Sequence, residues 1–332
     1  MSFAKQVPSA AARVLTLCAA LTATSHVSAQ SDQGAYPARP VRIVVGFAAG
    51  GGTDLFARLI GPKMFPGSGQ PVVIENKPGA GAIIATEFVA KAPADGYTLL
   101  MTPLTTMTVN PAVYPKLPYH PVKDFAPVSL LSSYPYLLVA TKAASVRNMR
   151  ELIDYAKANP RKANYAGASP VFQLTTVLFR IVTGASLEYI GYKSSTESVT
   201  AVMSGEVLMT LSDSPPLTGP LRSGQVVGIG VTSPTRMVAF PDIPTMAELG
   251  FPKLEMQSGN GVLAPAGTPP AVVERLQGEF SRIVKGADVK DRFQAWAAEP
   301  VGGTPDEFRR LIASELERWT AVAKAGNIKI EQ

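Results

Sequence analysis

The stretch from Val41 to Asp54, VRIVVGFAAGGGTD, constrains the fold more than any other segment of the chain. Val41, Ile43, Val44 and Val45 make an apolar, β-branched run that reads as a buried strand. The run meets Gly50, Gly51 and Gly52, and Thr53-Asp54 then opens a helix carrying apolar Leu55, Leu59 and Ile60. Glycines admit backbone angles that other residues avoid and leave room for a close approach. Thr53 suits the N-cap, and Asp54 suits the positive end of the helix dipole. Unpaired N–H groups at such a helix start can seat a phosphate or a carboxylate. The same residues also satisfy a plain strand-to-helix turn that binds nothing.

The pattern repeats downstream. Val72 to Glu75 is a second strand, Gly79 to Gly81 a turn, Ile83 to Ala90 a helix, and Tyr97 to Met101 a third strand. This β-α-β-α-β order predicts a mostly parallel sheet covered by helices. A proline-rich passage from Pro103 to Pro127 excludes a long helix or a central strand. From Tyr136 the alternation restarts, with strands at 136–139, 164–166, 187–190, 207–211 and 226–231 and helices near 146–158 and 196–203. The last stretch is helical. Thr304-Pro305-Asp306-Glu307 is a capping box, and Phe308, Leu311, Ile312, Leu316 and Trp319 behind it keep the spacing of a core-facing stripe. Helices so placed, after two α/β halves, predict that the chain crosses from one domain to the other and returns.

The N-terminus reads as an address. Lys5 and Arg13 precede the apolar run Val14 to Ala23, and Val27-Ser28-Ala29 offers small residues for cleavage near Ala29. Polar Thr22, Thr24, Ser25 and His26 argue against a retained anchor. Removing residues 1–29 takes away the only cysteine, Cys18, and one of two histidines, leaving His120. The charge falls from +6 to +4, because Lys5 and Arg13 leave and no acid goes with them. A thiol-free chain suits an oxidising compartment, and one histidine excludes a histidine-rich zinc site. Mild basicity without a Lys/Arg block excludes a nucleic-acid surface. About 300 mature residues exceed what one core usually holds.

Catalytic signatures are missing. There is no phosphate-loop lysine motif, no dinucleotide glycine spacing and no G-x-S-x-G elbow. His120, in LPYHP, reads as a surface-turn residue, and no pair of carboxylates stands out as an acid/base couple. We therefore expect no enzyme, no cofactor and no metal. Two further loops could bind. YAGASPVFQ, residues 165–173, again joins a strand to a helix through small residues, and Ser212-Asp213-Ser214 follows the strand 207–211 at its carboxyl end, where open α/β sheets take ligands.

Taken together these segments resemble the solute-binding proteins of tripartite tricarboxylate transporters, the Bug family. The resemblance runs from about Tyr36 to the C-terminus and rests on YPARP (36–40), GGGTD (50–54), QPVVIENKPGAG (70–81), DGYTLL (95–100), LPY (117–119), KDFAPV (123–128), Tyr192-Lys193, VTS (231–233), FPDIPT (240–245) and LAPAGTP (263–269). It implies a periplasmic α/β flytrap of two domains, 36–135 plus 257–332 and 136–256, each with a mostly parallel sheet. It also implies a carboxylated solute in the cleft, permease subunits in the membrane as partners, and a monomer. The ligand's carboxylate would be held by the first loop (Phe47, Ala48, Gly51, Gly52, Thr53, Asp54), with Gly167, Ala168, Ser169 and Gln173 closing from the other side. By position Thr102, Thr105, Ser212 and Asp213 would also line the cleft. Asp54, negative beside an anion seat, is expected to bond loop amides or to order water. The chain departs from the pattern in three places: Ala48 and Ala49 stand where proline is usual, Gln173 near a usual histidine, and Gly191 where proline precedes Tyr-Lys. A ligand sensor and, remotely, an exported enzyme are the rival readings.

Overall fold

The computed structural model describes Met1, residues 36–325 and residues 328–330. The expected export signal, from residue 2 to Ala29, lies outside the described residues. The chain alternates from its first strand: β1 (Val41–Val45), α1 (Gly52–Ile60), β2 (Val72–Asn76), α2 (Ile83–Ala90) and β3 (Thr98–Pro103). Two short helices, α3 (Leu104–Thr108) and α4 (Asn110–Val113), lead to β4 (Phe125–Leu130) and the long β5 (Ser132–Thr141). The second alternation comprises α5 (Met149–Ala158), β6 (Asn164–Gly167), α6 (Pro170–Thr183), β7 (Glu188–Gly191), α7 (Ser195–Ser204), β8 (Met209–Asp213), α8 (Thr218–Arg222) and β9 (Val226–Val231). The chain closes through β10 (Gln257–Ser258), β11 (Asn260–Pro265), α9 (Pro270–Val284), α10 (Ala287–Ala295), β12 (Glu299–Pro300) and α11 (Pro305–Ala325).

Two sheets result. The first has the order β2-β1-β3-β11-β4, and the second runs β10-β5-β8-β6-β7 with β9 and β12 also paired to β5. Parallel pairing holds where helices cross over, in β2-β1-β3 and in β7-β6-β8. Both sheets are mixed, however, where mostly parallel sheets were expected: β11 runs antiparallel to β3 and β4, and β8, β9, β10 and β12 run antiparallel to β5, because the strands at the crossings between the sheets enter from the opposite end. Each sheet has its own core. In the first, Val44, Leu100 and Leu263 pack with Ile83 and Val89 of α2 and with Phe308 and Ile312 of α11. In the second, Leu137, Val139 and Val231 pack with Val199 and Val202 of α7.

β11 has no signature in the sequence. Its Gly261 interrupts the apolar pattern, and a Cβ there would lie 2.1 Å from the Phe308 ring, so the glycine is what lets α11 rest on the sheet. The capping box at the start of α11 forms as read: the Glu307 N–H donates to Thr304 Oγ1 at 3.3 Å and the Thr304 N–H to Glu307 Oε2 at 2.8 Å.

The chain passes between the sheets from β4 to β5 and returns from β10 to β11, and these crossings lie side by side. The Leu131 N–H donates to Asn260 O at 2.8 Å, and the Asn260 N–H to Ser132 Oγ at 3.1 Å. A Cβ on Gly259 would sit 1.9 Å from Ser132 O, so only glycine permits this approach. A row of rings runs beside the crossing. Phe56 of α1 meets Phe293 and Trp296 edge-on at 4.9 and 5.1 Å and Tyr134 face-to-face at 5.8 Å; Tyr134 leads to Tyr136 at 6.2 Å, and Tyr136 to Phe172 at 5.2 Å.

Candidate functional site

The loop between β1 and α1 is built differently from its sequence reading. Gly51, in extended conformation, is the N-cap of α1 and the helix begins at Gly52, so Thr53 is not the cap. The Thr53 hydroxyl instead donates to Asn260 Oδ1 at 2.9 Å, tying α1 to the returning strand. Asp54 is 1% exposed and fully engaged behind the loop. Its Oδ2 accepts the Gly50 N–H and Arg58 Nε, both at 2.8 Å, and its Oδ1 accepts Asn76 Nδ2 at 2.9 Å. Asn76 also donates to Phe47 O at 3.0 Å, so one carboxylate and one amide stake the whole loop. Burial pushes the Asp54 carboxyl up, but hydrogen bonds from Arg58, Gly50 and Asn76 and the Arg58 charge outweigh it and hold it below the ordinary value.

Most of the loop's amides are spent inside the protein. The Gly51 N–H donates to Ala48 O at 3.2 Å, the Gly52 N–H to Ser195 Oγ at 3.1 Å, and the Ala48 N–H to Lys193 O at 3.2 Å. The Thr196 hydroxyl donates to Gly50 O. The segment entering α7, on the second sheet, therefore closes directly over the loop of the first. Among the described residues no acceptor takes the Thr53 or Asp54 N–H, which leaves two donors at the positive end of α1.

The second sheet supplies the opposite wall. Asp213 ends β8 and is 7% exposed; its Oδ1 accepts from Ser212 Oγ at 3.1 Å. Its Oδ2 is pressed so close to Gly52 that a Cβ there would lie 1.4 Å away. Burial pushes the Asp213 carboxyl above its ordinary value, and the hydroxyls of Ser195 and Ser212 pull the other way without cancelling it. At the end of β6, Gly167 is covered by Phe172 and Tyr189, whose hydroxyl donates to Gly167 O at 2.9 Å. Ala168 and Ser169 lie beyond it, at the entrance to α6.

These walls enclose a pocket of about 30 Å³, room for about two waters, so the sheets are closed upon it. Of the residues expected from the sequence, Phe47, Gly52, Thr53, Thr105, Ala168, Ser169 and Asp213 line it together. Ala48, Gly51, Asp54, Thr102, Gly167, Gln173 and Ser212 are not on its wall. Thr102 belongs to β3 and is buried, Ser212 is turned toward Asp213, and Gln173 sits within the first turn of α6. Five wall residues were not anticipated: Pro103, Tyr134, Tyr136, Phe172 and Ser195. Tyr134-Pro135-Tyr136 alternates along β5, which puts both rings on one face, and Ser195 follows directly on Tyr192-Lys193 and Ser194; both signals were readable. No cluster of three His, Cys, Asp or Glu side chains occurs among the described residues.

The sequence profile described as "Tripartite tricarboxylate transporter family receptor" matches residues 56–328. The chain belongs to this receptor family. It is 34% identical to Protein BugT of Bordetella pertussis over 322 residues, covering 96% of this chain and 99% of that one. Solved receptors superpose closely. The periplasmic binding protein BugD matches with a TM-score of 0.85 at 31% identity, over 89% of this chain and all of that one. The R. palustris protein Rpa4515, solved with adipate, matches with a TM-score of 0.84 at 34% identity, over 89% of this chain and 99% of that one. The two-sheet α/β architecture is thus that of the family's receptors.

Proposed function

We propose that this receptor works outside the cytoplasm and captures a small carboxylated solute in the pocket between its two sheets. It would then present the solute to the membrane subunits of a tripartite transporter. The observation that carries this reading is the unused N–H groups of Thr53 and Asp54 at the start of α1, where Thr53 stands on the wall of a pocket that the second sheet roofs. A carboxylate there would gain two charge-assisted hydrogen bonds and the helix dipole in a site shielded from water. The hydroxyls of Ser169, Thr105 and Ser195 stand on the other walls, Ser195 already holding the Gly52 N–H. The adipate in Rpa4515 supports an acid as the occupant here too.

In this reading the lobes divide at 36–135 plus 257–332 against 136–256, and the ligand holds them shut by touching both. The chain is exported, cleaved near Ala29 and monomeric, and its pocket binds without turning the solute over. Three or four charge-assisted bonds of about 1.5–3 kcal/mol each, counting wall hydroxyls beside the helix N–H groups, gain up to about 12 kcal/mol, and the ordering cost leaves about −8 kcal/mol, a roughly micromolar affinity. Native mass spectrometry of protein purified without refolding, followed by calorimetry against mono-, di- and tricarboxylic acids, tests it. A co-purified acid and a micromolar partner in the panel are expected. A neutral co-purified ligand with no acid binding would end the proposal.

A further inference from the structure

We infer that the receptor's affinity is set partly from the back of the crossing between the sheets, by residues that never touch the solute: they line a groove that narrows whenever the pocket opens. This rests on the receptor reading above and concerns how that site is regulated, whatever acid it takes. Side chains alternate along β5, so Tyr134 and Tyr136 face the pocket while Pro135 faces the other way. Gln257, the register partner of Pro135 on β10, shares that far face. Pro135 and Gln257 form the floor of a groove of about 420 Å³ there. Pocket and groove therefore lie on opposite faces of the same strands.

Each sheet carries one wall of the groove. Lys290 and Gln294 of α10 stand on the first wall, and the Phe293 ring fastens α10 to α1 through its edge-on contact with Phe56 at 4.9 Å. The second wall is the lip 235–239 that follows β9. Met237 is buried in the second core, and Arg236 Nε donates to both Glu248 carboxylate oxygens, at 3.0 and 2.9 Å, so the lip moves with the second sheet as one piece. Ala297 rests against the second core, but no hydrogen bond or ion pair joins the two walls among the described residues. The pocket face differs, because the Ala48–Lys193, Gly52–Ser195 and Thr196–Gly50 bonds hold the sheets together there. Parting those bonds swings the far sides of the sheets toward each other, and the groove must give up volume. Opening is thus opposed by bonds on one face and by bulk on the other. A fuller groove raises the closed fraction, and apparent affinity rises with that fraction.

Gln294→Trp tests this. Gln294 is exposed, lies within α10 and is no part of the pocket wall, so an indole there adds bulk to the groove alone. Lys290→Trp, one turn earlier on the same wall, should act alike. Glu274→Trp, exposed on α9 and off the groove wall, is the control. Small-angle scattering of ligand-free protein should show both groove variants more compact than wild type and the control. Calorimetry with succinate, adipate and citrate should show the groove variants binding about fivefold or more tighter to whichever of these acids wild type takes. Wild-type compactness and affinity in both groove variants overturn the inference and leave the receptor reading standing. Compact groove variants that, like wild type, bind no acid support the role of the groove and count against the receptor reading.

Discussion

Gly52→Ala separates the pocket from the fold around it. Gly52 has no positive φ and occupies the first helical position of α1, so alanine is compatible with the helix itself and should change stability by less than about 1 kcal/mol. The difficulty lies across the pocket. The added methyl would sit 1.4 Å from Asp213 Oδ2 and 2.7 Å from Asp213 Cγ, so the carboxylate must retreat by about 2 Å to reach ordinary contact. Retreat breaks its bond from Ser212 and disturbs the neighbouring Ser195–Gly52 bond. Bonds to a charged group contribute about 1.5–3 kcal/mol and a neutral one about 1, and water repays part once the sheets part. A net cost of about 2–4 kcal/mol to the closed state follows, which weakens ligand binding by roughly 30- to 1000-fold. Calorimetry with the tightest acid of the panel reads the loss, and a thermal melt without ligand checks the fold. Wild-type affinity together with a wild-type melt would show that the pocket does not close on Gly52 in use, and the site would have to be sought elsewhere.

Asp54→Asn should destabilise the first loop with a defined pH signature. The folded carboxyl lies below its ordinary value, so its contribution is complete above about pH 5 and drains away as acidification passes through the folded value. Wild type minus variant, followed by urea unfolding from pH 7 to pH 3, should shrink toward zero at the acid end; a constant difference refutes the network. Phe56→Ala removes the ring that joins Phe293, Trp296 and Tyr134 and should cost about 3–5 kcal/mol, read by denaturant unfolding. A loss below about 1 kcal/mol would mean that the neighbours collapse into the space.

The sequence carries the alternating elements well because periodicity and turn chemistry are local. Ile83–Ala90, Val226–Val231 and the capping box at Thr304 are where the spacing puts them. What escapes is whatever depends on a partner distant in the chain. β11 is a strand because β3 and β4 flank it, and its glycine exists for Phe308, 47 positions further on. Thr53 reads as a cap from its neighbours alone, yet its hydroxyl is drawn to Asn260. Half of the expected site residues reach the pocket wall because strand ends and helix starts converge there by topology. The aromatic wall was missed because Tyr134, Tyr136 and Phe172 look like ordinary core until two sheets are set face to face.

The backbone approach of Gly259 to Ser132 has a mechanical consequence. Two strands laced together by the Leu131–Asn260 and Asn260–Ser132 bonds form a flat ribbon, which resists shear along its length and yields most readily to torsion. β12 lies against the same crossing, with Glu299 and Pro300 paired to Ser133 and Ser132 and the Val301 N–H on Leu131 O, so a turn of one sheet against the other twists three strands together. A side chain at position 259 would run into Ser132 O and push the two crossings apart.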